Sequence, residues 1–239
     1  MTTENDLRLI DNCNRHLNYL RVSITDRCNL QCRYCVPQEL IPKLSHRDIL
    51  TYEEILRVVR VATRLGISKV RVTGGEPLVR KNILTLFNNL GQIRALQDLT
   101  LTTNGTQLPR FAQDLQRAGV SRINISLDTL RPDRFRAMTR NGRLERVMAG
   151  LDAAQEAGFK RIKLNAVVLK NRNHDETHEL VGFAIERGLD ISFIEEMPLG
   201  LVGDHDRAVC YYSSDEIRQD LARHYELVPT AESTGGPSR

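Results

Sequence analysis

At 239 residues, 41% hydrophobic and 27% charged, the chain has the size of one barrel-sized α/β domain and is too apolar to be disordered throughout. Its net charge of +4 is weak and scattered, which argues against a nucleic-acid partner and suits a small anion. No apolar run is long enough for a membrane span, no charged-then-apolar leader is visible, and five cysteines without a disulfide pattern fit a reducing compartment, so a cytoplasmic protein is expected.

Residues 1–17 read as a flexible leader, 18–228 as one folded domain and 229–239 as an unstructured stub. Tyr19–Thr25 alternates as a strand, and a cysteine-bearing loop follows it. Pro37–His46 reads as a loop. Thr51 with Glu54 forms a capping box, opening a helix whose stripe is Ile55, Val58, Val59, Ala62 and Leu65, and Gly66 ends it. Further strands are expected at Lys69–Thr73, Asp98–Thr103, Arg122–Leu127, Arg161–Leu169 and Asp190–Glu195. Between them lie helices from about Val79 to Ile93, Pro109 to Ala118, a short one from Pro132, a longer one through Leu144–Ala154, and Asp175 to Glu186. Ser213 and Glu216 cap a last helix, and Cys210 is placed in a loop. Such alternation implies parallel strands with right-handed crossovers. Six units fall short of a closed eightfold barrel, so the expected fold is a partial (β/α)6 TIM-like barrel, open on one side.

Cys28-x3-Cys32-x2-Cys35 gathers three of the five cysteines. A tetrahedral zinc site would want a fourth nearby ligand, and none is in reach along the chain. A redox Cys-x2-Cys would leave Cys28 unexplained. A 4Fe–4S cluster accepts three cysteines when an outside molecule takes the last iron. A chance grouping of structural cysteines is the plain alternative.

The strands carry polar residues at one parity: Arg21, Ser23 and Thr25; Lys69, Arg71 and Thr73; Thr100 and Thr102; Asn124 and Ser126; Lys163 and Asn165; and Ser192. Parallel strands covered on both faces read as apolar runs, so this alternation suggests a wet lumen. Its four cations, Arg21, Lys69, Arg71 and Lys163, suit a polyanion such as a triphosphate. An antiparallel sheet with one solvated face would alternate in the same way, though without intervening helices.

Cys28-x3-Cys32-x-Tyr34-Cys35 resembles the signature of radical S-adenosylmethionine (SAM) enzymes, and Gly74-Gly75-Glu76-Pro77 resembles their glycine-rich turn. Leu20–Cys28, Arg71–Leu78, Leu101–Gly105, Asn124–Asp128 and Phe193–Pro198 resemble the GTP 3′,8-cyclases of molybdenum cofactor biosynthesis, over nearly the whole chain from Leu20. The resemblance implies that Cys28, Cys32 and Cys35 ligate one 4Fe–4S cluster with an open iron. It implies SAM contacts at Tyr34, Gly75, Ser126 and Met197, and GTP contacts at Arg21, Lys69, Arg71, Thr102 and Lys163. Six of these lie on the polar strand faces already picked out. The implied chemistry is reductive cleavage of SAM, hydrogen abstraction from the ribose 3′ carbon of GTP, and closure onto C8 of the guanine. The implied partners are GTP, an electron donor such as flavodoxin or ferredoxin, and cyclic pyranopterin monophosphate synthase downstream. A homodimer is compatible with it; nucleic acid and membrane are not implied.

The chain departs from the family in two places. The resemblance implies a longer chain with a second three-cysteine cluster, whereas Cys210 is the only cysteine after Cys35. The expectation is a truncated chain that binds a cluster and SAM but handles GTP poorly. Ser192 stands where many members carry Arg. Another radical SAM enzyme, or a non-catalytic iron–sulfur protein, is the alternative reading. His174 and His178 read as a solvated helix end, and Asp128, Glu195 and Glu196 as capping or ion-pairing acids as readily as site residues.

Overall fold

Period-two apolar residues set the strands, and period-3.6 stripes set the helices that cross between them. The computed structural model describes residues 8–35, 43–45, 47–197 and 206–230. The strands are β1 (Tyr19–Ser23), β2 (Lys69–Thr73), β3 (Asp98–Thr103), β4 (Arg122–Ser126), β5 (Ile162–Val168) and β6 (Asp190–Glu195). The helices are α1 (Tyr52–Arg64), α2 (Ile83–Gly91), α3 (Leu108–Arg117), α4 (Pro132–Thr139), α5 (Leu144–Glu156), α6 (Thr177–Arg187), α7 (Arg207–Cys210) and α8 (Ser214–Leu221). The sheet runs in the order β1-β2-β3-β4-β5-β6 without closing, the open six-stranded arrangement expected. Most of the Pro37–His46 loop and the 231–239 tail lie outside the described residues.

The chain divides into two compact units. The first comprises Met1–Asn29, Pro42–Ile125 and Arg146–Ile162. Its parallel register sets Arg21 opposite Arg71, Arg71 opposite Thr100 and Thr100 opposite Arg122. Val59, Val70, Val72, Phe87, Leu101, Leu115 and Ile123 are fully buried between strands and helices. The expected capping box at Thr51 and Glu54 is present in both directions, and Gly66 closes α1 at φ +94°. The α1 stripe is rotated from the expected one. Ile55, Leu56 and Val59 are buried, and Val58, about 100° round the helix from Val59, is exposed.

The second unit comprises Leu30–Ile41, Ser126–Glu145 and Lys163–Arg239. β5 and β6 pair in parallel there, Lys163 opposite Asp190 and Asn165 opposite Ser192. Val168, Tyr212, Ile217 and Leu221 make one core cluster. Met138, Leu169 and Cys210 make another, against which Tyr34 and Val167 pack.

Three local expectations are corrected. Residues 8–17 are held in a turn rather than loose. Asp11 Oδ1 accepts from the Cys13 and Arg15 amides, and Ile10 bridges His16. α2 begins at Ile83 rather than near Val79, because Pro77–Val79 forms a 3-10 turn and Asn82 takes φ +56°. Cys210 sits in α7, not a loop, and is buried; the Asp206 side chain caps that helix by accepting from Ala208 and Val209.

Candidate active site

In the first unit the turn after β2 is pressed against the chain leaving β1. Gly75 donates to Thr25 O at 2.6 Å, and Glu76 donates to Arg27 O at 2.8 Å. A Cβ on Gly74 would stand 2.6 Å from Thr25 O, and one on Gly75 2.6 Å from the Arg27 carbonyl carbon. Only glycine allows that approach. Glu76 is fully buried and fastens this turn to the end of β3. Its Oε1 accepts from Leu78 N (3.0 Å) and Thr103 Oγ1 (2.7 Å), and its Oε2 accepts from Asn104 N (2.7 Å). Burial pushes its carboxyl pKa up against the pull of these bonds. Glu76 therefore orients its own turn.

Asn104, so placed, reaches the cysteine loop. Its Nδ2 donates to Asn29 Oδ1 at 2.8 Å and lies 3.9 Å from Cys28 Sγ. Thr106 Oγ1 ties both amides together, accepting from Asn29 Nδ2 and donating to Asn104 Oδ1. An N–H aimed at a cysteine sulfur stabilises its thiolate and any iron bound to it. Asn104 is a site residue that the cysteine pattern alone could not indicate.

The cations of this unit lie in strand register. Arg21 is exposed, while Lys69 and Arg71 are half-buried. Arg71 Nε donates to Thr100 Oγ1 at 3.4 Å and its guanidinium lies over the Tyr19 ring. Burial lowers the Arg71 pKa, Tyr19 opposes that, and Arg122 and Arg21 add to it. Arg122, at the same parity as Asn124 but absent from the sequence-based set, is buried and pairs with Asp98 at 3.3 Å. Thr102 Oγ1 and Asn124 Oδ1 are buried without a hydrogen-bond partner among the described residues. Buried polar atoms left in this state point to a ligand that satisfies them.

In the second unit the rest of the cysteine loop is stitched to the end of α4. Gln31 N donates to Thr139 O, Arg33 N to Met138 O and Arg33 Nε to Ala137 O. Cys35 N closes a turn onto Cys32 O at 3.0 Å. The Tyr34 hydroxyl donates to Asp128 Oδ2 at 2.6 Å, and Asp128 Oδ1 accepts from Val167 N. Burial raises the Asp128 carboxyl from 3.8 to about 6, partly offset by those two bonds. Burial first, then the Asp128 charge, pushes the Tyr34 hydroxyl pKa well up. Tyr34 is thus pinned at its hydroxyl by Asp128 and packs against the cluster formed by Met138, Leu169 and Cys210. Ser126 is half-buried at the end of β4, Lys163 is buried in β5, and Met197 is 60% exposed after β6. Glu195 accepts from Ser214 N and Tyr211, and Glu196 pairs with Arg207 at 3.1 Å, so both fasten the α7–α8 region. His174 accepts from Asn171 N, and His178 stacks on His224 at 4.3 Å.

Three thiols are the donor set of an iron–sulfur cluster, although among the described residues no three His, Cys, Asp or Glu side chains stand close enough together to hold a metal ion. Three thiols lie on one short loop, one within reach of an amide donor, and the loop backbone is fixed to α4 on one side. Known proteins agree with this chemistry. A family model described as the radical SAM superfamily matches residues 22–184. The chain is 53% identical over 236 residues to a GTP 3′,8-cyclase of Pseudomonas entomophila, covering 99% of this chain and 70% of that protein. It is 55% identical over 230 residues to GTP 3′,8-cyclase 1 of Pseudomonas aeruginosa, covering 96% and 69%. Among solved structures, Streptococcus suis SuiB bound to S-adenosylmethionine matches with a TM-score of 0.63 at 22% identity, over 76% of this chain and 41% of SuiB, a likeness of fold. A glycine turn locked under the cysteine loop, a clamped Tyr34 and half-identity over nearly the full chain place this protein in the GTP 3′,8-cyclase family of the radical SAM superfamily.

Proposed function

We propose that this chain acts as a radical SAM GTP 3′,8-cyclase, converting GTP to 3′,8-cyclo-7,8-dihydroguanosine 5′-triphosphate in the first step of molybdenum cofactor biosynthesis. The observation that carries the substrate reading is the row Arg21–Arg71–Thr100–Arg122, with Thr102 Oγ1 and Asn124 Oδ1 buried and unsatisfied beside it. Arginines in adjacent strands repel one another unless an anion lies across them, and a triphosphate supplies that charge.

Cys28, Cys32 and Cys35 hold one 4Fe–4S cluster. With SAM, that cluster supplies the radical chemistry that removes the ribose 3′ hydrogen. The remaining work falls to this chain's own residues. Gly75 lets the turn press against the Arg27 backbone, which fixes the turn for contact with the SAM methionine. Tyr34, Ser126 and Met197 complete the SAM contacts, and the Asp128 bond keeps the Tyr34 ring from turning. Arg21, Lys69, Arg71, Thr102 and Lys163 hold GTP, so that the ribose is presented and not merely bound. Residues 18–228 work as one catalytic barrel in the cytoplasm. An electron donor such as a flavodoxin or ferredoxin would serve the cluster that Cys28, Cys32 and Cys35 hold, and the product would pass to cyclic pyranopterin monophosphate synthase; a homodimer is compatible. No helix among the described residues is long and apolar enough to cross a membrane.

The test is anaerobic reconstitution with iron and sulfide, followed by GTP titration in a calorimeter and by SAM with dithionite. The expected results are GTP binding that weakens in Arg71→Ala, and 5′-deoxyadenosine whose yield rises with GTP. A cluster-loaded chain that cleaves SAM but does not discriminate GTP from no nucleotide would overturn the substrate reading and favour another radical SAM activity.

A further inference from the structure

The cluster loop meets an arginine-rich surface in the second unit. Two hollows adjoin at Arg33, Asp133 and Ala137. One, of about 600 Å³, is lined by Gln31, Arg33, Asp133, Arg136, Ala137 and Arg140. The other, of about 390 Å³, brings in Tyr34, Met138 and Arg172. Arg33, Arg136 and Arg172 are exposed, as is Cys35. Neither Arg136 nor Arg172 forms an ion pair among the described residues, whereas Arg134 is engaged by Asp175 and Glu176. Asp133 is the only acid lining these hollows among the described residues.

Loop and helix are bonded as one body here. Gln31 N, Arg33 N and Arg33 Nε donate to the last carbonyls of α4, and Arg140 NH1 donates back to Gln31 O. Anything that grips the outer face of α4 is therefore held against the backbone of Cys32. The face is shallow, and its arginines are spread apart and solvated. It lacks the buried polar side chains that fix a small anion. Spread surface charge of one sign is what steers a transient protein partner, and electron-transfer contacts fall among the smallest interfaces.

We propose that this arginine face of α4 is the docking surface for an acidic one-electron carrier protein. The inference rests on reading Cys28, Cys32 and Cys35 as cluster ligands. In the step it serves, the carrier gives up one electron and is oxidised by one. The cluster held by the loop takes that electron, and no atom or proton is transferred.

A bacterial flavodoxin is the probe, titrated anaerobically into the cluster-loaded chain at low and high ionic strength. Binding is expected to weaken with salt. The double variant Arg136→Glu/Arg172→Glu is expected to bind about tenfold more weakly and to accept electrons from the reduced flavodoxin correspondingly more slowly. Reduction by dithionite and SAM affinity stay at the wild-type level in that variant. The reversal Arg57→Glu/Arg117→Glu, on exposed positions of α1 and α3, serves as control and leaves binding in place. Unchanged flavodoxin affinity in the α4 variant, an equal loss in the control, or displacement of flavodoxin by single-stranded RNA would each overturn the docking face. Cluster absorbance read before the donor is added separates the two levels: a wild-type chain that takes up no iron overturns the underlying reading as well.

Discussion

Asp128→Asn isolates the cost of burying a carboxyl beside Tyr34. Asp128 is only 5% exposed and titrates at about 6 instead of 3.8. That difference corresponds to roughly 3 kcal/mol at about 1.36 kcal/mol per pH unit. The folded pKa lies above the unfolded one, so the folded chain holds the proton more tightly between the two values. The associated stability is fully present below pH 3.8 and is lost as pH rises through about 6. Asparagine does not titrate in this range. Its carbonyl can still accept from Val167 N, and its amide can donate to the Tyr34 oxygen, reversing the direction of the present bond. The assay is urea unfolding of both chains across this pH range. Subtracting the two curves cancels every titration except that of Asp128. The variant should gain on the wild type by about 2.4 kcal/mol between pH 4 and pH 7.5. A flat difference curve would show that Asp128 is not desolvated, and would remove the reason for treating the Tyr34–Asp128 bond as a rigid clamp.

Glu76→Ala leaves Leu78 N, Asn104 N and the Thr103 hydroxyl buried without their acceptor, and should cost roughly 3–5 kcal/mol in urea unfolding; a cost below about 1 kcal/mol would refute the clamp. Gly75→Ala drives a methyl into the Arg27 carbonyl, and should cost about 1–3 kcal/mol and abolish SAM binding in calorimetry. SAM affinity unchanged in that variant would show that the turn has slack. Asn124→Leu replaces a buried oxygen that has no partner, so thermal stability should hold or rise while GTP affinity falls about tenfold. Equal GTP affinity would remove Asn124 from the site.

Alternation made the polar rows of the sheet legible, and the register places them side by side as that pattern requires. Arg122 escaped because it opens its strand, where a charged residue reads as a solvated start. In the sheet it is enclosed by Asp98 and the Thr100 row. Residues 8–17 and α7 escaped for another reason. Each is too short for a period, and each is organised by a single aspartate, Asp11 or Asp206, whose side chain satisfies two backbone amides. Cys210 was misplaced with α7, and so was its place in the cluster against which Tyr34 packs. The Asn104–Cys28 approach joins residues 76 positions apart, a distance no local pattern spans.

Acids and cations have opposite fates in this site. Glu76, Asp128, Glu195 and Glu196 stand at strand ends, where an α/β enzyme would carry a general base. Each is instead occupied with amide, hydroxyl or guanidinium donors. The cations of the first unit are set in register, Arg21 opposite Arg71, in an arrangement that costs stability on its own. Radical hydrogen abstraction requires no carboxylate base at the ribose, so the acids are available as fasteners. The charge of Arg21 and Arg71 is then concentrated where a triphosphate would offset it. A ligand that neutralises this row binds the folded chain alone, so GTP should stabilise the protein in proportion to the logarithm of its concentration above Kd. The energy that builds the cation row and the energy that binds the nucleotide are therefore one coupled quantity.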